Sequence, residues 1–169
     1  YIEAQQEGRE SFGIIDSGAF TVWNKGGTLS LDEYHVKLQQ LMPHFDMVAN
    51  LDVIPGEQGM RDEITPEMNN RAAEASWNNY VELKRRVAED GHDPARVMPI
   101  YHQGESLDWL RRIVDSGCDY IGISPSNDCG SSRRRLWLDD VYEILSSQPK
   151  LAKTHGYAVT SPTLMREYP

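Results

Sequence analysis

The sequence predicts an α/β fold of (β/α)8 TIM-barrel type, carried here by an incomplete barrel of about five βα units in one domain spanning residues 1–169. Three observations predict it. Short apolar runs alternate with longer amphipathic stretches. Recognisable helix-start signals stand between the runs. Hydrogen-bonding side chains gather where the apolar runs end rather than where they begin.

The strands are predicted at Phe12–Ile15, Met47–Leu51, Val97–Tyr101, Tyr120–Ile123 and Gly156–Val159. Each is short and mostly apolar, as parallel strands covered on both faces are. The first helix opens with Ser30-Leu31-Asp32-Glu33, a capping box with Ser30 at N-cap and Glu33 at N3. Leu31, Tyr34, Leu38 and Leu41 follow at helical spacing, and Pro43 stops the run. Thr65-Pro66-Glu67 reads as N-cap, N1 proline and first-turn acid, opening a helix that runs to about Asp90, where Gly91 caps it. Leu107, Leu110, Ile113 and Val114 mark a third helix ending at Gly117. Leu136, Val141, Ile144 and Leu145 mark a fourth, and Ser161-Pro162 opens a fifth.

Alternation of this kind means a parallel sheet with right-handed crossovers. Neither GxGxxG nor GxxxxGK[ST] follows any strand, which removes the best evidence for an open nucleotide-binding sheet. A whole barrel takes ~250 residues, so five units make a partial one. An open barrel exposes strand edges, and pairing with a second copy would hide them.

Composition narrows the function classes. The 17 basic and 26 acidic residues give a net charge of −9, which argues against nucleic-acid binding unless a local basic patch supplies it. No run of ~18 apolar residues is present to span a membrane. The opening YIEAQQEGRE has no apolar segment of signal-peptide type and no Met, and a piece of a longer chain is expected. Two cysteines, Cys118 and Cys129, suggest no disulfide framework, and a reducing, cytoplasmic setting is expected.

In a barrel, functional residues cluster past the C-terminal strand ends. Those ends carry Asp16-Ser17, Asp52, His102-Gln103, Ser124-Pro125-Ser126-Asn127 and Thr160-Ser161, whereas the starts offer only turn residues such as Ser11 and Asp46. Each has a bland reading. Asp16 and Asp52 can cap turns, His102 can be a structural histidine, and Ser161 reads as a helix cap. A metal held by Asp16, Asp52 and His102 is an alternative, although no HxH, HExxH or paired-cysteine spacing supports it. Arg133, Arg134 and Arg135 form the main basic feature, near a helix start where the dipole disfavours cations. They are either a solvated face or a phosphate-facing patch.

Taken together, these stretches resemble the tRNA-guanine transglycosylase superfamily, in its divergent phage and DNA-modification branch. DSGAF at 16–20 resembles the family's DSGGFQ; Leu51-Asp52 its second-strand aspartate; YHQGES its IVQGG; DYIGIS its GGLSVGE strand; and HGYAVTSPTLMREYP its HLLGIGTPE-type strand and helix. The resemblance covers about Ser11 to Pro169. It implies base exchange: guanine in a tRNA or DNA is replaced by a free 7-deazaguanine. Asp16 would handle protons on the departing or arriving base. Asp52 and Gln103 would recognise the purine edge, with Ser17 and His102 beside them, and Gly122 would let the base approach the backbone.

These roles make physical sense. One carboxylate can accept both N1–H and N2–H of guanine, and a glutamine amide can donate to O6. Breaking an N-glycosidic bond builds positive charge on the sugar, and an acid must protonate the leaving base. The sequence departs from the family at Ala19, Thr21 and Glu105, where glycine, glutamine and glycine are usual. The family's nucleophilic aspartate lies beyond the helix opening near Pro162, so no turnover is expected from residues 1–169 alone. The family's zinc site also lies further on, and no cofactor or metal is expected within this segment. A metal-assisted hydrolase or isomerase, or a non-catalytic base-binding module, are the alternatives.

Overall fold

The computed structural model describes residues 11–56, 63–126 and 130–168. The expectations for Asn127 and Cys129 lie outside the described residues. The order is β1 (Ile14–Ile15), α1 (Ala19–Asn24), α2 (Leu31–Leu41), β2 (Met47–Ala49), α3 (Pro66–Glu89), β3 (Val97–Met98), β4 (Ile100–His102), α4 (Leu107–Asp115), β5 (Tyr120–Ser124), α5 (Ser131–Ser146), β6 (Lys153–Gly156) and α6 (Pro162–Glu167). All pairings are parallel, in two three-stranded sheets ordered β1-β2-β3 and β4-β5-β6. No helix among the described residues is long and apolar enough to cross a membrane.

The third predicted strand is where the two sheets meet. Pro99 has no N–H to offer a ladder, so the run Val97–His102 divides into β3, paired with β2, and β4, paired with β5. The Pro99 carbonyl still accepts from Gly122 N–H at 2.8 Å, and Met98 O from Asn50 N–H at 2.8 Å. Within each sheet every strand therefore pairs with the next in the chain, with no reversal of order.

Helix starts follow the local chemistry. Ser30 accepts from Glu33 N–H at 3.2 Å while the Glu33 carboxylate accepts from Ser30 N–H at 3.0 Å, closing the capping box. Thr65 caps α3 and Ser161 caps α6, each with proline in the first turn. Leu41 ends α2, and Pro43 falls in the 3-10 turn Met42–His44.

Alternate strand residues face opposite sides. Ile15, Val48 and Val97 pack under α2 and α3, and Tyr101, Ile121 and Ile123 under α4 and α5. Met47, Ala49, Met98 and Ile100 form a third cluster with Ile14, Tyr120 and Tyr157, drawn from both sheets. Flat sheets would separate the β1 and β5 positions by three strand spacings, roughly 14 Å. Yet Phe12, just before β1, stacks on Tyr120 of β5 with ring centroids 5.7 Å apart. The sheets curl around that inner cluster.

Two differences from the sequence reading bear on the site. The last strand is Lys153–Gly156, not Gly156–Val159. Only Gly156 of GYAV pairs; Tyr157 and Ala158 form a turn, Ala158 takes φ +53°, and Val159 folds back on Gly156. The short helix α1, immediately after Gly18, was not foreseen. At six residues it carries too little periodicity to be recognised.

Candidate functional site

The C-terminal ends of the strands open on one cavity of about 840 Å³, within the range of small-molecule sites. Asp16 and Ser17 reach it from β1, Asp52 from the loop after β2, His102 and Gln103 from β4, and Ser124 and Ser126 from β5. The sequence had singled out these ends, and they do converge. Thr160 and Ser161, placed at the end of a misread strand, are not among the lining residues; Tyr157 and Ala158 line it from β6 instead.

Asp52 sits in the most ordered part of the site. Its Oδ1 accepts from the Ser17 hydroxyl at 3.1 Å, and its Oδ2 lies 3.0 Å from His102 Nε2. The other ring nitrogen, Nδ1, lies 3.0 Å from Glu105 Oε1. The three side chains are 9% (Asp52), 24% (His102) and 6% (Glu105) exposed. Gly104 makes the last contact achievable. With φ +111° it turns the chain back so that Glu105, three residues after His102, returns to the ring.

Burial alone would push His102 down, but its hydrogen bonds and the charges of Asp52 and Glu105 more than offset that, raising it to about 10. Burial likewise pushes Asp52 up, but the His102 contact, with help from Ser17, holds it below the ordinary carboxylate value. The result is an imidazolium clamped between two carboxylates. With both ring nitrogens facing oxygen, His102 has no lone pair for a cation. Among the described residues no group of three or more His, Cys, Asp or Glu is arranged to hold a metal ion.

Asp16 differs. It is exposed, and its carboxylate makes no hydrogen bond or ion pair to another described residue. Its charge reaches across the cavity: together with burial it helps keep the Tyr157 phenol well above its usual value, and it opposes the burial that lowers His155. Gln103 accepts from Ser126 N–H through Oε1 at 3.0 Å. A backbone N–H can only donate, so this bond fixes which end of the amide is oxygen.

Gly122 does not face an open hollow. A Cβ there would lie 2.7 Å from Tyr157 Cε2, so the phenol ring occupies the approach expected for a ligand. The Tyr157 hydroxyl is buried with no hydrogen-bond partner among the described residues. The three arginines also part company. Arg133 is exposed, Arg134 donates to Ser126 O at 3.1 Å and so braces the rim, and Arg135 pairs with Glu167 at 2.6 Å. The sequence reading missed Tyr157 and the aromatic pair of α1. Phe20, 48% exposed, and Trp23 line the cavity with ring centroids 5.9 Å apart, and Trp23 Nε1 donates to Gly56 O at 3.0 Å. The apolar i, i+3 pair just after DSG was the available signal. For Glu105 it was an acid three residues after a histidine.

Fold and site together define a parallel α/β protein with a carboxylate-bearing cavity at the C-terminal strand ends. No family model, no curated protein and no solved structure matches this chain.

Proposed function

We propose that this chain forms the base-binding part of a (β/α)8-type transglycosylase that exchanges guanine in a nucleic acid, tRNA or DNA, for a 7-deazaguanine derivative. The observation that carries the reading is the convergence of Asp16, Asp52 and Gln103 on one cavity at the C-terminal ends of the parallel strands β1, β2 and β4. The unreversed strand order and the curl that brings Phe12 onto Tyr120 support the barrel form.

The exchange breaks the C1′–N9 bond of guanosine and makes the same bond to the incoming base. The leaving guanine gains a proton and the incoming base loses one. Asp16, exposed at the cavity edge and without a partner among the described residues, takes and returns that proton. Asp52, kept ionised, accepts from N1–H and N2–H, and Gln103 orients the opposite part of the purine edge. Phe20 and Tyr157 offer aromatic faces that replace the stacking a base loses when it leaves its helix. Arg133, exposed on α5, is the arginine offered for phosphate contact, Arg135 being exposed but paired with Glu167.

The test is incorporation of labelled guanine into tRNA or duplex DNA by the full-length protein, beside Asp16→Ala. Incorporation abolished by Asp16→Ala supports the reading. Base binding without exchange leaves a non-catalytic binding module, and neither binding nor exchange sinks the proposal.

A further inference from the structure

Guanine and adenine differ at the edge a carboxyl group reads. Guanine presents two adjacent donors, N1–H and N2–H. Adenine presents the N1 lone pair beside the N6 amine. An ionised carboxylate accepts both guanine donors and repels the adenine lone pair. A neutral carboxyl gives its proton to adenine N1 and accepts from N6. The proton on a single buried aspartate therefore decides which purine fits.

We propose that His102, held by Glu105, keeps Asp52 ionised and thereby makes the cavity select a guanine-type edge over an adenine-type one. The inference rests on the reading of the cavity as a purine site and adds the device that sets its selectivity. His102 and Glu105 act through Asp52 and are positioning residues.

Hydrogen-bond geometry argues for it. Ser17 Oγ stands 3.1 Å from one Asp52 oxygen and His102 Nε2 3.0 Å from the other, so each oxygen faces a group able to donate to it. With Asp52 ionised and the ring protonated, the carboxylate accepts from both groups at once and the His102 contact is charge-assisted, whereas a neutral Asp52 would have to give its O–H to Ser17 Oγ or to an unprotonated ring nitrogen. His102 in turn faces a carboxyl group at each nitrogen, and the doubly protonated ring donates to both. Burial works in the other direction and favours a neutral Asp52. The groups facing the ring are Asp52 from the loop after β2 and Glu105 from the turn after β4, while Asp16 and Tyr157 line the same cavity from β1 and β6. Neither Lys nor Arg is among the described lining residues, so His102 is the cation that opposes burial there.

The experiment measures binding of 9-ethylguanine and 9-ethyladenine to the full-length protein by calorimetry, from about pH 8 down to about pH 5. The wild type is expected to prefer guanine throughout. His102→Gln keeps a neutral donor and removes the charge. Its preference should fall by at least about tenfold at the acid end, through gained adenine binding. Glu105→Gln keeps an acceptor for Nδ1 and should preserve a flat preference. Nitrogen-15 shifts of the wild-type His102 ring supply a readout that needs no variant, and an imidazolium is expected at neutral pH. A neutral ring, or a His102→Gln protein that binds guanine with an unchanged flat preference, overturns this inference and leaves base binding standing. A wild type that binds neither purine overturns both.

Discussion

Asp16 and Asp52 end neighbouring strands of one sheet and line one cavity, yet they are opposites. Asp52 follows β2, which has β1 on one side and β3 on the other, and its oxygens are engaged by Ser17 from the end of β1 and by His102 from β4, the continuation of the β3 run beyond Pro99. Asp16 ends β1, which has only one described neighbour, and its carboxylate has no partner among the described residues. The position of a strand in the sheet thus decides whether its terminal acid is tied or available. A tied acid holds a fixed charge and suits recognition. An available one can exchange protons and suits chemistry.

The largest effect expected is on stability at the tied end. His102→Ala leaves Asp52 and Glu105 buried without their cation, and breaking a buried ion pair in this way costs about 3–5 kcal/mol. Asp16→Ala removes nothing the fold uses and should stay within about 0.5 kcal/mol. Urea unfolding of the two variants checks the contrast, and equal losses would erase it. The pH dependence has a definite sign. His102 binds its proton more tightly folded than unfolded, so its contribution is complete below the ordinary imidazole value of about 6.5 and fades as pH rises toward about 10. Asp52 is lowered, so its contribution holds above the ordinary carboxylate value and fades as pH falls below it. Wild type should therefore lose stability on the alkaline side, and His102→Ala should lose that slope.

A smaller effect tests the Tyr157 wall of the cavity. Gly122→Ala places a Cβ 2.7 Å from the Tyr157 ring, which is seated by the turn at Ala158. Overpacking of this kind costs about 1–3 kcal/mol. Moving the ring should weaken purine binding while the His102 ring-nitrogen shifts stay as in the wild type. A shift change at His102 would mean that the two sides are coupled.

How far the sequence reveals this depends on the range of each interaction. The Ser30–Glu33 box, the Thr65-Pro66 start and the strand–helix alternation are written within a few residues, and the structure has them where the pattern places them. The convergence of Asp16, Asp52, His102 and Gln103 was legible because strand ends in a parallel sheet share one side. Glu105 was seen only as a missing glycine, since its meaning depends on His102 being held by Asp52, 50 residues earlier in the chain. Lys153–Gly156 was missed because an edge strand of KTHG shows no apolar run, whereas GYAV shows one and turns. The arginine run looked like one patch, but each side chain met a different environment across the fold.

Arg135 gives the smallest effect and the cleanest control. Its Nη1 lies 2.6 Å from Glu167 Oε2, closer than either contact of His102, but the two side chains are 48% and 39% exposed. Water screens that pair and side-chain entropy opposes it, so Arg135→Ala should change stability by less than about 1 kcal/mol, and less again as salt is added. The His102 cluster, shielded by the protein, should respond to salt far less. Denaturant midpoints for both variants at low and high salt measure this directly. If Arg135→Ala costs as much as His102→Ala, contact length governs these charges. If it costs little, burial does, and the fixed charge of Asp52 follows from where its strand ends.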